Sequence, residues 1–241
     1  MRDRFTPPPY AVAAPCPPGS FANFLAELPL REKQAPVKLF DGSLKHRQDV
    51  HAAVLEVSVG PRDLQQCADA IMRLRAEYLF GNGRQDEIAF HFTNGFKAEW
   101  RRWRQGERIR VQGHTCAWSA GGRVDGSHTE LLRFLDVVFT YAGTQSLARE
   151  LVAAHHAPIE AGDVFIQGGS PGHAVMVVDV AHDDQGRTWF MLAQSYMPAQ
   201  DIHILKVPGR SDGSPWFLQH TAGELRTPEW TFAWEDRKRF P

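Results

Sequence analysis

Three cysteines in 241 residues exclude a disulfide framework. Cys16, Cys67 and Cys116 lie far apart, form no Cys-x-x-Cys pair, and are odd in number, so at least one thiol is free. No apolar run approaches the roughly 18 residues that a membrane-spanning helix needs, so no integral membrane segment is expected. Net charge is also lacking: 27 Lys and Arg stand against 28 Asp and Glu. A main partner such as nucleic acid or an anionic lipid surface usually leaves a basic excess, and neither is expected here. His-Glu-x-x-His is absent despite 11 histidines, and the adjacent pair His155–His156 points in two directions on a helix or strand. No metal site and no cofactor is therefore expected. Internal repeats are missing, and so is any flexible linker between residues 20 and 241.

What is present divides into a proline-dense arm over residues 1–19 and a single domain over 20–241. The apolar piece of the arm is too short for a signal-peptide core. The compartment stays open, being extracytoplasmic if a leader has been removed. Ser20 predicts an N-cap, with Phe21, Phe24, Leu25 and Leu28 at helical spacing up to Pro29. The best helix signal is GPRDLQQCADAIMRLRAEYLFGNG: Pro61 and Asp63 suit its start, Gly81 and Gly83 its stop, and Leu64, Cys67, Ile71, Leu74 and Tyr78 make one stripe. AEWRRWRQGERIRV predicts a basic amphipathic surface helix. TELLRFLDVVFTYAGTQSLARELV predicts one long helix or two, broken near Gly143. From residue 159 onward, GDVFIQ, HAVMVVDVA, TWFMLAQSYM and DIHILKV predict strands. This order predicts an α+β fold, with helices packed on an antiparallel sheet of about five or six strands and an insertion around 88–125.

The chemistry rests on one constellation. A thiol attacks as thiolate and needs a base. Cys67 falls in the first turn or so of a predicted helix, where unpaired N–H groups favour negative charge. His173 follows a Gly-Ser-Pro-Gly turn and opens a strongly β-forming run, so a rigid strand holds it while Gly172 lets another backbone approach. Gln194 on the next strand is placed to orient the imidazole, and Gln66 to donate to an oxyanion. Arg75, if it points inward, and Tyr196 are candidates for substrate binding. Each residue has a plainer reading: Cys67 a buried core thiol, His173 a turn histidine, Gln194 a strand-bridging amide, Asp163 a turn-former. Trp216, Trp230 and Trp234 read as core. Asp179 lies some 20 Å along the strand from His173 and is no partner for it.

QQCADA, then AGDVFIQGGSPGHAVMVVDV, then WFMLAQSYM resemble the cysteine–histidine amidohydrolases of the NlpC/P60 and CHAP type. The resemblance implies a papain-like arrangement, hydrolysis of an amide or ester bond, and a peptide-like or peptidoglycan-derived substrate. It departs at Gln194, where those hydrolases commonly carry Asn, Asp, Glu or His. Over nearly the whole chain, segments from SFANFLAELPL to TPEWTF resemble a bacterial family, domain of unknown function 4846. That resemblance implies a single-domain bacterial protein, often exported in relatives, and brings no activity. The rival function class is a non-catalytic module binding a glycan or peptide on the same scaffold. The oligomeric state is not legible.

Overall fold

The structure is a computed structural model that describes residues 1–220 and 223–241. Its axis is the strand His173–Asp183, buried at every position but one. A strand covered on both faces reads as a continuous apolar run and not as an alternation. Ala174, Met176, Val178 and Ala181 join a large core beneath the helices, while Val175, Val177 and Val180 join a smaller core on the other face. The register slips at the step Met191/Leu192, whose partners are Asp179 and Val177, so Val178 is the extra residue of a bulge.

Around this strand the chain builds a nine-stranded sheet. Along its path lie His51–Val54, His203–Leu205, Thr188–Gln194, His173–Asp183, Val164–Gln167, Arg237–Arg239 and Val152–Ala153. Ala11–Ala13 pairs on the central strand and Trp216–Leu218 on Thr188–Gln194, and every pairing is antiparallel. Three two-stranded ribbons and five α-helices complete the described residues. This corrects the expectation of a papain-like α+β fold with five or six strands, because the molecule is mostly sheet. The undercount has a physical cause. Ala11–Ala13, Val152–Ala153, His203–Leu205, Trp216–Leu218 and Arg237–Arg239 have three residues or fewer, below the length at which period-two alternation is visible.

The basic amphipathic helix is a second correction. Trp100–Trp103 forms a single helical turn with both tryptophans buried, Gly106 turns the chain at φ 92°, and Glu107–Gln112 pairs as a ribbon with Thr115–Ala120. The 127–150 region forms two helices, His128–Tyr141 and Thr144–Glu150. Both ends of the chain are tied to the sheet by buried carboxylates. Asp179 takes the Arg2 guanidinium at 2.6 and 3.0 Å. Asp163 takes Arg237 at 2.5 Å and Arg239 at 2.6 Å.

Candidate functional site

The helix Cys67–Gly81 packs on the central strand through the larger core. It starts at Cys67 and not near Pro61, because the Asp69 carboxylate accepts the Gln66 backbone N–H at 3.0 Å and closes the helix start there. Cys67 is therefore the first helical residue. Its own N–H, that of Ala68 and that of Ala174 on the central strand are near enough to oppose the rise of the thiol pKa. Ala174 is the neighbour of His173, so the fold brings the thiol to the strand end that carries the imidazole.

Gly172 fixes that strand end. A Cβ there would lie 2.5 Å from Thr144 Oγ1 and 2.7 Å from both the Gln167 and Gly169 carbonyl oxygens, so only glycine fits. His173 Nε2 donates to Gln194 Oε1 at 2.9 Å across the sheet. Cys67, His173, Gln66, Asp69, Tyr196 and Trp230 line one cleft of about 460 Å³. The thiol and imidazole share it without a direct hydrogen bond in this resting arrangement.

Burial dominates the electrostatics. It pushes the Cys67 thiol up to about 11, with the charge of Asp69 adding to the rise and the three N–H groups opposing it. The helix start loses this contest on magnitude. A charge at a helix end gains about 0.3–1 kcal/mol, less than one pKa unit, whereas the thiol has moved up by about two. The His173 ring sits among Tyr196 at 4.7 Å, Trp230 at 5.3 Å and Phe232 at 5.9 Å between centroids. Burial there drives the imidazole down to about 4, despite the hydrogen bond to Gln194. Asp69 is also pushed up by burial, to about 8, and its second oxygen has no partner. At neutral pH the site therefore rests as neutral thiol beside neutral imidazole.

Gln66 stands at the cleft wall, with Nε2 donating to Asp63 Oδ1 at 3.1 Å and a second amide hydrogen left over. Tyr196 lines the cleft beneath Lys45 Nζ, which sits 5.1 Å from its ring centroid. Arg75 does not join these residues. Eight positions along the helix carry it about 12 Å from Cys67. Its guanidinium is framed by Phe21, Tyr78 and Phe240 at 5.0–5.4 Å, beside a separate pocket of about 310 Å³.

Three side chains stand behind Gln194, and the sequence links none of them to it. Gln194 Nε2 donates to Glu229 Oε2 at 2.7 Å and contacts His203 Nε2 at 3.3 Å. Lys45 Nζ pairs with Glu229 Oε1 at 2.8 Å, both side chains nearly buried. Lys45 and Glu229 stand 184 residues apart, so no local pattern links them. The only nearby signal was Trp230, read as core.

A family model described as domain of unknown function 4846 matches residues 1–239. No curated protein and no solved structure matches the chain. None of these comparisons supports a kinship with NlpC/P60 or CHAP hydrolases.

Proposed function

The chain belongs to the domain of unknown function 4846 family, and we propose that its cleft hydrolyses an amide or ester bond with Cys67 as the nucleophile. The observation that carries this reading is the placement of His173. Its Nε2–H is committed to Gln194, which leaves Nδ1 as the uncommitted nitrogen of a ring that lines the same cleft as Cys67.

In the proposed reaction, Sγ attacks the carbonyl carbon while Nδ1 takes the thiol proton, so charge develops only as the bond forms. The carbonyl oxygen gains the electron pair. The N–H groups at the helix start, with the spare amide hydrogen of Gln66, are the donors available to it. Collapse of the adduct expels the amine or alcohol, which receives the proton from Nδ1–H, and leaves a thioester. Water then attacks the thioester, giving its proton to Nδ1, and the thiol leaves with the acid product released. A cleft of this volume lies within the usual range for a small-molecule or short-peptide site. The chain order Cys67, His173, Gln194 resembles that of the cell-wall hydrolases, which makes a peptidoglycan-derived peptide the first substrate to try.

The test compares the protein with Cys67→Ala on p-nitrophenyl acetate and on a stem peptide of peptidoglycan. Turnover of either that disappears with the thiol is the expected result. If neither substrate shows turnover dependent on Cys67, the cleft is a binding site. The resting burial of thiol and imidazole favours that second reading.

A further inference from the structure

We infer that Glu229 decides which nitrogen of His173 carries the proton, acting through the amide of Gln194. It touches no reacting atom and is a positioning residue. The donors and acceptors behind the imidazole close in only one way. His203 is fully buried, and its Nδ1 lies 2.9 Å from the Asp201 carbonyl. A carbonyl only accepts, so His203 carries its proton on Nδ1 and presents a bare Nε2. Both groups on the far side of Gln194, the Glu229 carboxylate at 2.7 Å and this bare nitrogen at 3.3 Å, are acceptors. The NH2 of Gln194 must therefore face them, and its oxygen must face His173. That oxygen requires a hydrogen on His173 Nε2, at 2.9 Å. The imidazole is thus held with Nδ1 bare.

The reverse amide orientation would set the Gln194 oxygen against a carboxylate and offer NH2 to His173. Nε2 would then have to accept, and the proton would sit on Nδ1. Of the two anchors Glu229 is the stronger, being closer and ionised, and hydrogen bonds to an ionised acceptor are about twice as strong as neutral ones. Lys45 holds the carboxylate from behind at 2.8 Å. The carboxylate thus acts on the imidazole at one remove, through the amide.

Glu229→Gln turns this into a sharp test. Lys45 can only donate, so the new side-chain oxygen goes to Lys45 and its NH2 faces Gln194. Gln194 then reverses, and the His173 proton moves to Nδ1. Lys45→Met in the same chain frees the new oxygen to accept from Gln194 and restores the original form. The tautomer is read from long-range proton–nitrogen correlations of the ring nitrogens in protein labelled on histidine, with His173 assigned by its loss in His173→Gln. The expected sequence is Nε2–H in the native protein, Nδ1–H in E229Q, and Nε2–H again in K45M/E229Q. If E229Q does not fold, K45M/E229L removes both charges together and leaves only the longer contact to the bare His203 Nε2 to hold the amide, so a measurable Nδ1–H form is expected beside a larger Nε2–H form. An unchanged, single Nε2–H form in E229Q, or in K45M/E229L, overturns the inference. The consequence for catalysis rests on the thiol reading, but this measurement needs no turnover. A tautomer switch in a protein without Cys67-dependent activity therefore defeats the hydrolase reading and leaves the relay standing.

Discussion

Alkylation of Cys67 as a function of pH separates burial from helix-end activation. The thiol sits at about 11 because it is buried and because Asp69 is near. At pH 7 its thiolate fraction is then about one in 10⁴, against about 3 % for an ordinary thiol near 8.5. The ratio is about 300-fold, and only the thiolate reacts. Iodoacetamide is added from pH 6 to 11, and the Cys67 peptide is quantified by mass spectrometry against the same protein in denaturant. The native rate is expected to fall about 300-fold below the denatured one at pH 7 and to rise through an apparent pKa well above 9. Limited access lowers the plateau without moving that midpoint, so the midpoint is the quantity that decides. His173→Ala is expected to leave it in place, because a neutral imidazole with its pKa near 4 contributes no charge to the resting thiol. A midpoint below 8.5 that rises in His173→Ala would refute the reasoning, since that is the behaviour of a preformed thiolate–imidazolium pair.

Acid should destabilise the fold early. His173 and His203 are held down to about 4 and about 3 by burial, so below about 6.5 the unfolded chain binds protons that the folded chain does not. Their stabilising share is complete above about 6.5 and is lost as pH falls toward 4 and then 3, at about 3 kcal/mol for His173 alone. Urea midpoints from pH 7 to 4 should slope downward, less steeply in His173→Gln; a flat profile contradicts the burial. Gly172→Ala is expected to cost about 1–3 kcal/mol, because its Cβ meets Thr144 and two carbonyl oxygens under 3 Å away. Chemical denaturation measures this, and an unchanged midpoint removes the close-approach argument. Arg2→Ala leaves Asp179, 1 % exposed, without its cation. A loss of about 1–3 kcal/mol is expected, read as a lower Tm that partly recovers in Arg2→Ala/Asp179→Asn; no loss means that the arm is not held by this pair.

The helix that carries Cys67 was legible because its stripe has the right period and Gly83 stops it. Its true start was not legible, since Pro61 and Asp63 imitate an N-terminus while Asp69 makes the real one three residues beyond Gln66. The strand of His173 and its hairpin partner were legible as long β-forming runs. The breadth of the sheet was hidden in strands of two or three residues, whose pairing partners and not their own pattern make them strands. EWRRWRQGERIRV misled because Trp100 and Trp103 have helical spacing, yet the turn at Gly106 hands the chain to a ribbon. Cys67, His173 and Gln194 could be named from order alone. Glu229 and Lys45 could not, because a buried charge pair is specified by the fold that closes over it, and nothing local ties His203 to Gln194.

In the proposed hydrolysis, a neutral thiol beside a neutral imidazole shifts the burden of proton transfer onto the substrate. In an ion-paired site the proton has moved before anything binds. Here transfer from a group near 11 to one near 4 is uphill in the resting cleft, so it can proceed only as bond formation to carbon supplies the driving force. Under the proposed reaction the protein's part is geometric: Nδ1 kept bare, Sγ held at a helix start, and N–H groups placed to receive an oxyanion. The buried Lys45–Glu229 pair is costly to assemble for packing alone, because apolar residues of similar volume often do as well. Its position behind the one amide that sets the His173 tautomer gives that cost a purpose. A bare Nδ1 could take a proton in catalysis or accept a hydrogen bond from a bound ligand, so the relay serves either reading and Cys67-dependent turnover is what separates them.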